Sequence, residues 1–81
     1  MGQLLVVSSA GQLAQLLRAR RRQLRLPLRV VGDRAGMVLQ SVWQVEQGYT
    51  RPGPDVLLRI TGALDCQVML HQMGPSGRVY R

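Results

Sequence analysis

Residues 30–48 of the sequence read VVGDRAGMVLQSVWQVEQG, and this stretch decides the fold. The part after Gly36 keeps a helical spacing up to Gly48. It contains the acid Glu46 but none of the eleven arginines of the chain. The pattern predicts one helix that ends at Gly36 and a second helix, free of basic residues, that follows it.

These two helices meet the packing requirements of a helix-turn-helix. Its helices cross closely, which requires a small residue on the first helix, a glycine in the turn and aliphatic residues on the inner face of the second. Gly32, Gly36, Val42 and Val45 satisfy these requirements. With the two valines facing inward, a period of 3.6 residues turns five side chains of the second helix outward. These are Leu39, Gln40, Trp43, Gln44 and Gln47.

Local start and stop signals predict the other elements. Ser9 is a good helix cap, and Gln12 stands where its side chain reaches back to the cap amide. Pro27 forces its predecessor towards an extended conformation and suits the first turn of a new helix. We expect helices over 11–24, 27–35, 38–47 and 55–64, and a strand over 66–71. The strand needs a partner, either residues 4–7 of the same chain or the equivalent strand of a second subunit.

The predicted fold class is all-α, with four to five helices and a short C-terminal β-strand at a dimer interface. We expect an N-terminal arm or short strand over 1–8, one domain over 9–71 and a flexible tail over 72–81. A chain of 81 residues supplies only one small core, so a homodimer is expected to extend it. The predicted dimer contacts are Ile60, Leu64, Cys66, Val68 and Leu70.

The composition favours a polyanionic partner. The formal charge is +7, and every basic residue is arginine. Nucleic acid is the leading candidate, and an anionic membrane surface is a weak alternative because the glycine-punctuated helices do not suit it. The single His71 and Cys66 offer neither a catalytic pair nor a metal cluster, so we expect no enzyme and no cofactor. A single cysteine cannot form a disulfide within the chain, which fits the reducing cytoplasm. We expect the protein to be associated with the nucleoid there.

Residues at several characteristic positions resemble those of one known family. They are Gln12-Leu13, Arg21 with Glu46, Gly36, Glu46-Gln47-Gly48, Arg51-Pro52 and Ala63-Leu64-Asp65. From Ser9 to His71 the chain resembles the lambda-repressor-like (XRE) helix-turn-helix family, and within it the HipB-type antitoxins. The family resemblance implies a dimeric repressor on a palindromic duplex operator. The HipB subtype further implies a HipA-like kinase toxin as partner and autoregulation of a shared operon.

The resemblance implies base readout by Leu39, Gln40 and Gln44, with Ser41 directed to a phosphate or a base. The residue chemistry agrees, because a glutamine amide matches adenine in the major groove and Leu39 offers only apolar contact, for instance to a thymine methyl. A solvated helix face is the alternative for the glutamines, including Gln47. For Trp43, packing on a neighbouring loop is favoured over DNA contact.

The arginines are expected to serve two purposes. The resemblance implies that Arg21 pairs with Glu46 and fixes the second helix of the motif against the first helix of the domain; a loose surface pair is the alternative. Other arginines are candidates for phosphate contacts, which hold the duplex without choosing a sequence. These are Arg18, Arg22, Arg25, Arg29 and Arg51.

The chain departs from the family pattern in two places, at the adjacent residues 27 and 28 and at residue 38. Pro27 and Leu28 stand where relatives commonly have Ser or Thr followed by Gln, and Leu28 cannot make the backbone hydrogen bond of that glutamine. Val38 stands where a Ser or Thr usually caps the recognition helix.

These departures leave two functions open. One is a sequence-specific repressor, as an antitoxin or a stand-alone regulator, and the other is a protein-interaction module that neutralises a toxin and binds DNA weakly.

Overall fold

The computed structural model describes residues 2–70, with the backbone alone for Leu70. Four helices lie between two short strands in chain order. The elements are β1 (Gln3–Val7), α1 (Ala10–Gln23), α2 (Leu28–Ala35), α3 (Leu39–Glu46), α4 (Pro54–Ala63) and β2 (Cys66–Leu70). Every expected helix is present, with its ends about one residue from the predicted ones. His71 and the predicted tail 72–81 lie outside the described residues.

The start of α1 is held by reciprocal side-chain hydrogen bonds. The Ser9 hydroxyl accepts from the Gln12 amide at 3.1 Å, as the sequence predicts. The Gln12 side chain reaches back one residue further than expected, where its Oε1 accepts from the backbone N–H of Ser8 at 2.7 Å. The first bond satisfies a backbone donor that the first helical turn leaves without a partner, and the second ties the residue before the cap to the helix.

A residue in the left-handed conformation follows each helix. At Gly36 (φ 69°) and Gly48 (φ 77°) this conformation is free of side-chain strain, because glycine lacks a Cβ atom. Arg25 (φ 57°) and Asp65 (φ 51°) adopt it as ordinary L residues. The turn allows the next amide to bond back into the helix. After α2, for example, Met37 N donates to Gly32 O at 2.8 Å.

Gly32 is the point of closest approach in the turn between α2 and α3. A Cβ atom at this position would lie 2.6 Å from the carbonyl oxygen of Met37. The inner face of α3 supplies the valines that the sequence predicts, since Val42 and Val45 are buried. They join a core that contains Leu17 and Val31 from the preceding helices. The predicted helix-turn-helix packing is therefore present.

The predicted C-terminal strand finds its partner within the same chain. β2 pairs in parallel with β1, with Gln3 opposite Cys66 and Val7 opposite Leu70. The whole helical domain forms the connection between these two parallel strands. Side chains alternate along β1, so that Leu5 faces the core and Leu4 faces outward. β1 therefore completes the domain as a strand, and the predicted N-terminal arm takes that form.

The structure places most of the predicted dimer contacts against the core of one protomer. Ile60 and Leu64 are almost fully buried there, and Cys66 is 7% exposed. Val68 is half-buried against the same core, and both Cys66 and Val68 line a groove between α4 and the sheet. A dimer contact through these residues stays a prediction, since periodicity identifies an apolar face without identifying what covers it. The side chain of Leu70 lies outside the described part of the chain.

We expect Gly32→Ala to destabilise the domain by about 1 to 3 kcal/mol, because the added methyl group would overlap a backbone oxygen and force the turn open. Gly11→Ala and Gly62→Ala are matched controls, since both glycines lie in helices and a Cβ atom there meets nothing within 4 Å. The controls should stabilise by up to about 1 kcal/mol. Urea unfolding gives the free energy of unfolding of all three variants. Equal changes for Gly32→Ala and the controls would contradict the close approach of Gly32 to the Met37 carbonyl.

Candidate nucleic-acid interface

The outer face of α3 carries the side chains that the sequence assigns to readout. Gln40 and Gln47 are exposed, and Gln44 and Ser41 are half-buried. Leu39 is 46% exposed and Trp43 is 38% exposed. No basic residue lies on this helix, and its acid Glu46 is buried. The helix therefore offers a continuous uncharged surface of amides and apolar groups.

A buried ion pair holds α3 against α1. Arg21 Nε lies 2.7 Å from Glu46 Oε2, and the Glu46 side chain is only 2% exposed. Arg21 Nη1 also donates to the carbonyl oxygen of Leu26 at 3.0 Å, which fixes the loop before α2. A second arginine of α1, Arg18, donates from Nη1 to the Glu46 carbonyl at 3.2 Å. The pair is thus part of a local network and differs from a loose surface pair.

Trp43 packs on the loop that follows α3. Its ring and that of Tyr49 form an edge-on pair with centroids 5.4 Å apart. The chain reaches this position through a Schellman turn, in which Gly48 N donates to Val45 O and Tyr49 N donates to Gln44 O. An apolar contact between the residue after the left-handed turn, here Tyr49, and one in the last turn of the helix, here Trp43, commonly accompanies this motif. The indole is therefore held in place while part of its surface stays open.

The N-terminus of α3 has no side-chain cap. Val38 occupies the cap position with an extended backbone, and no side chain accepts from the first amides of the helix. α2 begins in the same way after Pro27. Leu28, which replaces the hydrogen-bonding glutamine of the family pattern, packs against the apolar core. Both departures that the sequence shows are thus real features of the fold.

A sequence model of a helix-turn-helix domain family matches residues 12–71. The chain belongs to this family. The family assigns the protein to the DNA-binding regulators, which are typically not enzymes. The match begins in the first turn of α1 and extends past β2, so β1 lies outside it. Comparison with curated proteins gives no match.

In this helix-turn-helix domain the arginines divide by burial. Four of the predicted phosphate contacts are exposed, while Arg18 is half-buried and uses one N–H on Glu46. A guanidinium has five donors, so phosphate contact by Arg18 stays a prediction. The four exposed residues are Arg22, Arg25, Arg29 and Arg51.

Sequence reasoning missed the role of Arg20. Its side chain is buried, and it donates from Nε to Leu64 O and from Nη2 to Asp65 O, both at 2.9 Å. These carbonyls lie at the end of α4, where cations are favoured by the helix dipole. Arg34 makes a longer contact to the carbonyl of Ala63 at 3.5 Å. Local spacing could not reveal this, because the contacts join residues more than 25 positions apart.

Within residues 2–70, no cluster of His, Cys, Asp and Glu could hold a metal ion. Burial raises the pKa of the Cys66 thiol, and the nearby Arg20 guanidinium opposes this only in part. The thiol therefore stays protonated near neutral pH, as expected of a core side chain. Across the same residues, no helix has the length and apolar character needed to cross a membrane.

We expect Val38→Thr to stabilise the domain by about 1 kcal/mol, because a hydroxyl at the cap would accept from an amide of the first turn of α3. Threonine keeps the shape of valine, so the change isolates the hydrogen bond. Val38→Ala serves as the control, since it also lacks an acceptor. Thermal unfolding followed by circular dichroism measures both, and a Thr variant no more stable than the Ala variant would contradict the assignment.

Proposed function

We propose that the protein is a transcriptional repressor that binds a specific duplex DNA sequence with α3 in the major groove. The observation that carries this proposal is the amide face of α3, a helix without exposed charge; it is formed by the exposed Gln40 and the half-buried Gln44, and the exposed Gln47 caps the helix end. Glutamine amides pair in bidentate fashion with adenine, and each such pair discriminates by about 1 to 3 kcal/mol. The family membership supports the same role.

The exposed arginines support the nonspecific part of binding. Arg22 lies in the last turn of α1, Arg25 lies in the loop that follows, and Arg29 lies in the first turn of α2, so they stand at the start of the helix-turn-helix. Arg51 follows α3 in the loop to α4. Phosphate contacts from these positions, together with Arg18, would fix the register of the domain on the duplex without selecting bases. If the arginines contact phosphates and the amides of α3 contact bases, the absence of arginine from α3 is accounted for.

We further propose that two copies bind a palindromic operator as a homodimer. Three exposed apolar side chains, Leu4, Leu58 and Met69, border a groove of about 550 Å³ between α4 and the sheet. An exposed apolar patch of this kind is typical of an interaction site. A second copy of the chain would cover it and would extend the small core of the domain. Cys66 and Val68, two of the dimer contacts that the sequence suggests, also line this groove.

The antitoxin role is a finer proposal and rests on the resemblance to HipB-type proteins alone. It would give the protein a HipA-like kinase toxin as partner and would make it the repressor of its own operon. A stand-alone regulator of the same fold is the alternative. Copurification of the tagged protein with the product of the adjacent reading frame tests the partner. A kinase-like neighbour that binds would support the antitoxin role, and a neighbour that does not bind would leave the stand-alone regulator.

We expect Gln44→Ala to lower affinity for the preferred duplex by about 5- to 150-fold and to leave affinity for random DNA unchanged, because it removes a base contact only. The preferred duplex is first selected from a random library. Arg22→Ala should weaken binding to both duplexes alike and reduce the slope of log affinity against log salt by about 0.9. Fluorescence anisotropy measures each affinity. Equal losses on both duplexes for Gln44→Ala would exclude the readout assignment.

Sedimentation equilibrium at micromolar concentration should give a dimer for the unmodified chain. Leu58→Glu should give a monomer, because Leu58 is 73% exposed on the proposed surface and a carboxylate there would be buried without a partner. Val38→Glu is the matched control, since Val38 is 69% exposed but lies at the cap of α3 and does not line the groove. Monomer for the unmodified chain, or dissociation by both variants alike, would count against this interface.

A further inference from the structure

An apolar strip runs along α3 beside the glutamines. Leu39 and Trp43 are four residues apart, so their side chains share one side of the helix. Both keep a large exposed fraction, although Trp43 is partly covered by Tyr49. The role proposed above uses the amides of this helix and assigns nothing to the indole. If α3 faces DNA as proposed, these two apolar side chains would bind most favourably to an apolar group on the DNA.

The indole packs against the turn that follows α3. Tyr49 lies edge-on against Trp43, and the backbone at Tyr49 is held by the bond from its amide to Gln44 O at 3.0 Å. A side chain that already packs against a neighbour loses less conformational freedom on binding than a free one. The contact with Tyr49 therefore favours binding through the exposed part of Trp43.

The major groove presents one kind of apolar group at the base edges, the methyl on C5 of thymine. The same ring position carries the methyl of 5-methylcytosine. We propose that Leu39 and Trp43 read these C5-methyl groups, so that α3 selects thymine through the strip and adenine through its amides. This inference rests on the proposed function. It adds Trp43 to the thymine-methyl contact that the sequence suggests for Leu39, and it makes binding sensitive to cytosine methylation.

The absence of basic residues from α3 supports this reading. Arginine and lysine make the commonest specific contact to guanine, and this helix contains neither. Amides that favour adenine and apolar groups that favour thymine select the same base pair from its two strands. The arrangement therefore predicts operators rich in A·T pairs under α3.

The test uses the 81-residue chain and a duplex selected from a random library. Each thymine of that duplex is replaced in turn by deoxyuridine, which removes the methyl group and nothing else. We expect about fourfold weaker binding per methyl group at one or two positions in each half-site, from the loss of one buried apolar group. When the A·T pair at one of those positions is replaced, the protein should bind a duplex with a G·5-methylcytosine pair there more tightly than a duplex with a G·C pair.

Variants assign the effect to the strip. Leu39→Ala should remove the uracil sensitivity at one position, and Trp43→His should reduce it at another; circular dichroism checks that each variant folds. Gln44→Ala is the control, and it should weaken binding while the uracil sensitivity persists.

The outcomes separate this inference from the proposed function. A duplex bound in preference to random DNA but indifferent to every thymine-to-uracil change would overturn the inference and leave the repressor role standing. Uracil sensitivity that persists in both strip variants would also overturn it. Failure to select any preferred duplex would overturn the inference and the proposed function together.

Discussion

The ion pair between Arg21 and Glu46 is the interaction on which the arrangement of this domain depends. A buried carboxylate is costly unless a cation and hydrogen bonds compensate it. Glu46 is also at the C-terminal end of α3, where the helix dipole disfavours negative charge. Arg21 supplies the compensating charge and also holds the loop at Leu26. One guanidinium thereby sets the position of α3 relative to both α1 and α2.

Charge is distributed in this protein according to burial. Buried or half-buried arginines such as Arg20 and Arg18 bond to backbone carbonyls near the ends of helices and stabilise the fold. Four exposed arginines, Arg22, Arg25, Arg29 and Arg51, are the ones proposed to meet phosphates. Neither the buried nor the exposed arginines lie on α3, the helix proposed to read bases, so its outer surface consists of amides and apolar groups. This separation is the physical basis of the proposed readout.

The sequence predicts the helices well because their boundaries are encoded locally. Ser9 caps α1, Gly36 and Gly48 end α2 and α3, and Pro54 begins α4. It does not predict which strand pairs with β2, because that choice depends on residues about 60 positions apart. Nor does it show that Cys66 is buried within one protomer, since an apolar pattern is the same for a core and for an interface. The contact between Trp43 and Tyr49 follows from the left-handed turn at Gly48, and sequence spacing identified only its general nature as loop packing.

A double-mutant cycle on Arg21 and Glu46 tests this account most directly. Arg21→Met, Glu46→Met and the double variant are unfolded in urea, and their free energies of unfolding are compared. Each single change should cost about 3 kcal/mol or more, because it leaves a buried charge unpaired. The double variant should cost no more than one single change, which gives a coupling energy of about 3 kcal/mol or more. Additive losses would contradict the claim that this pair fixes α3.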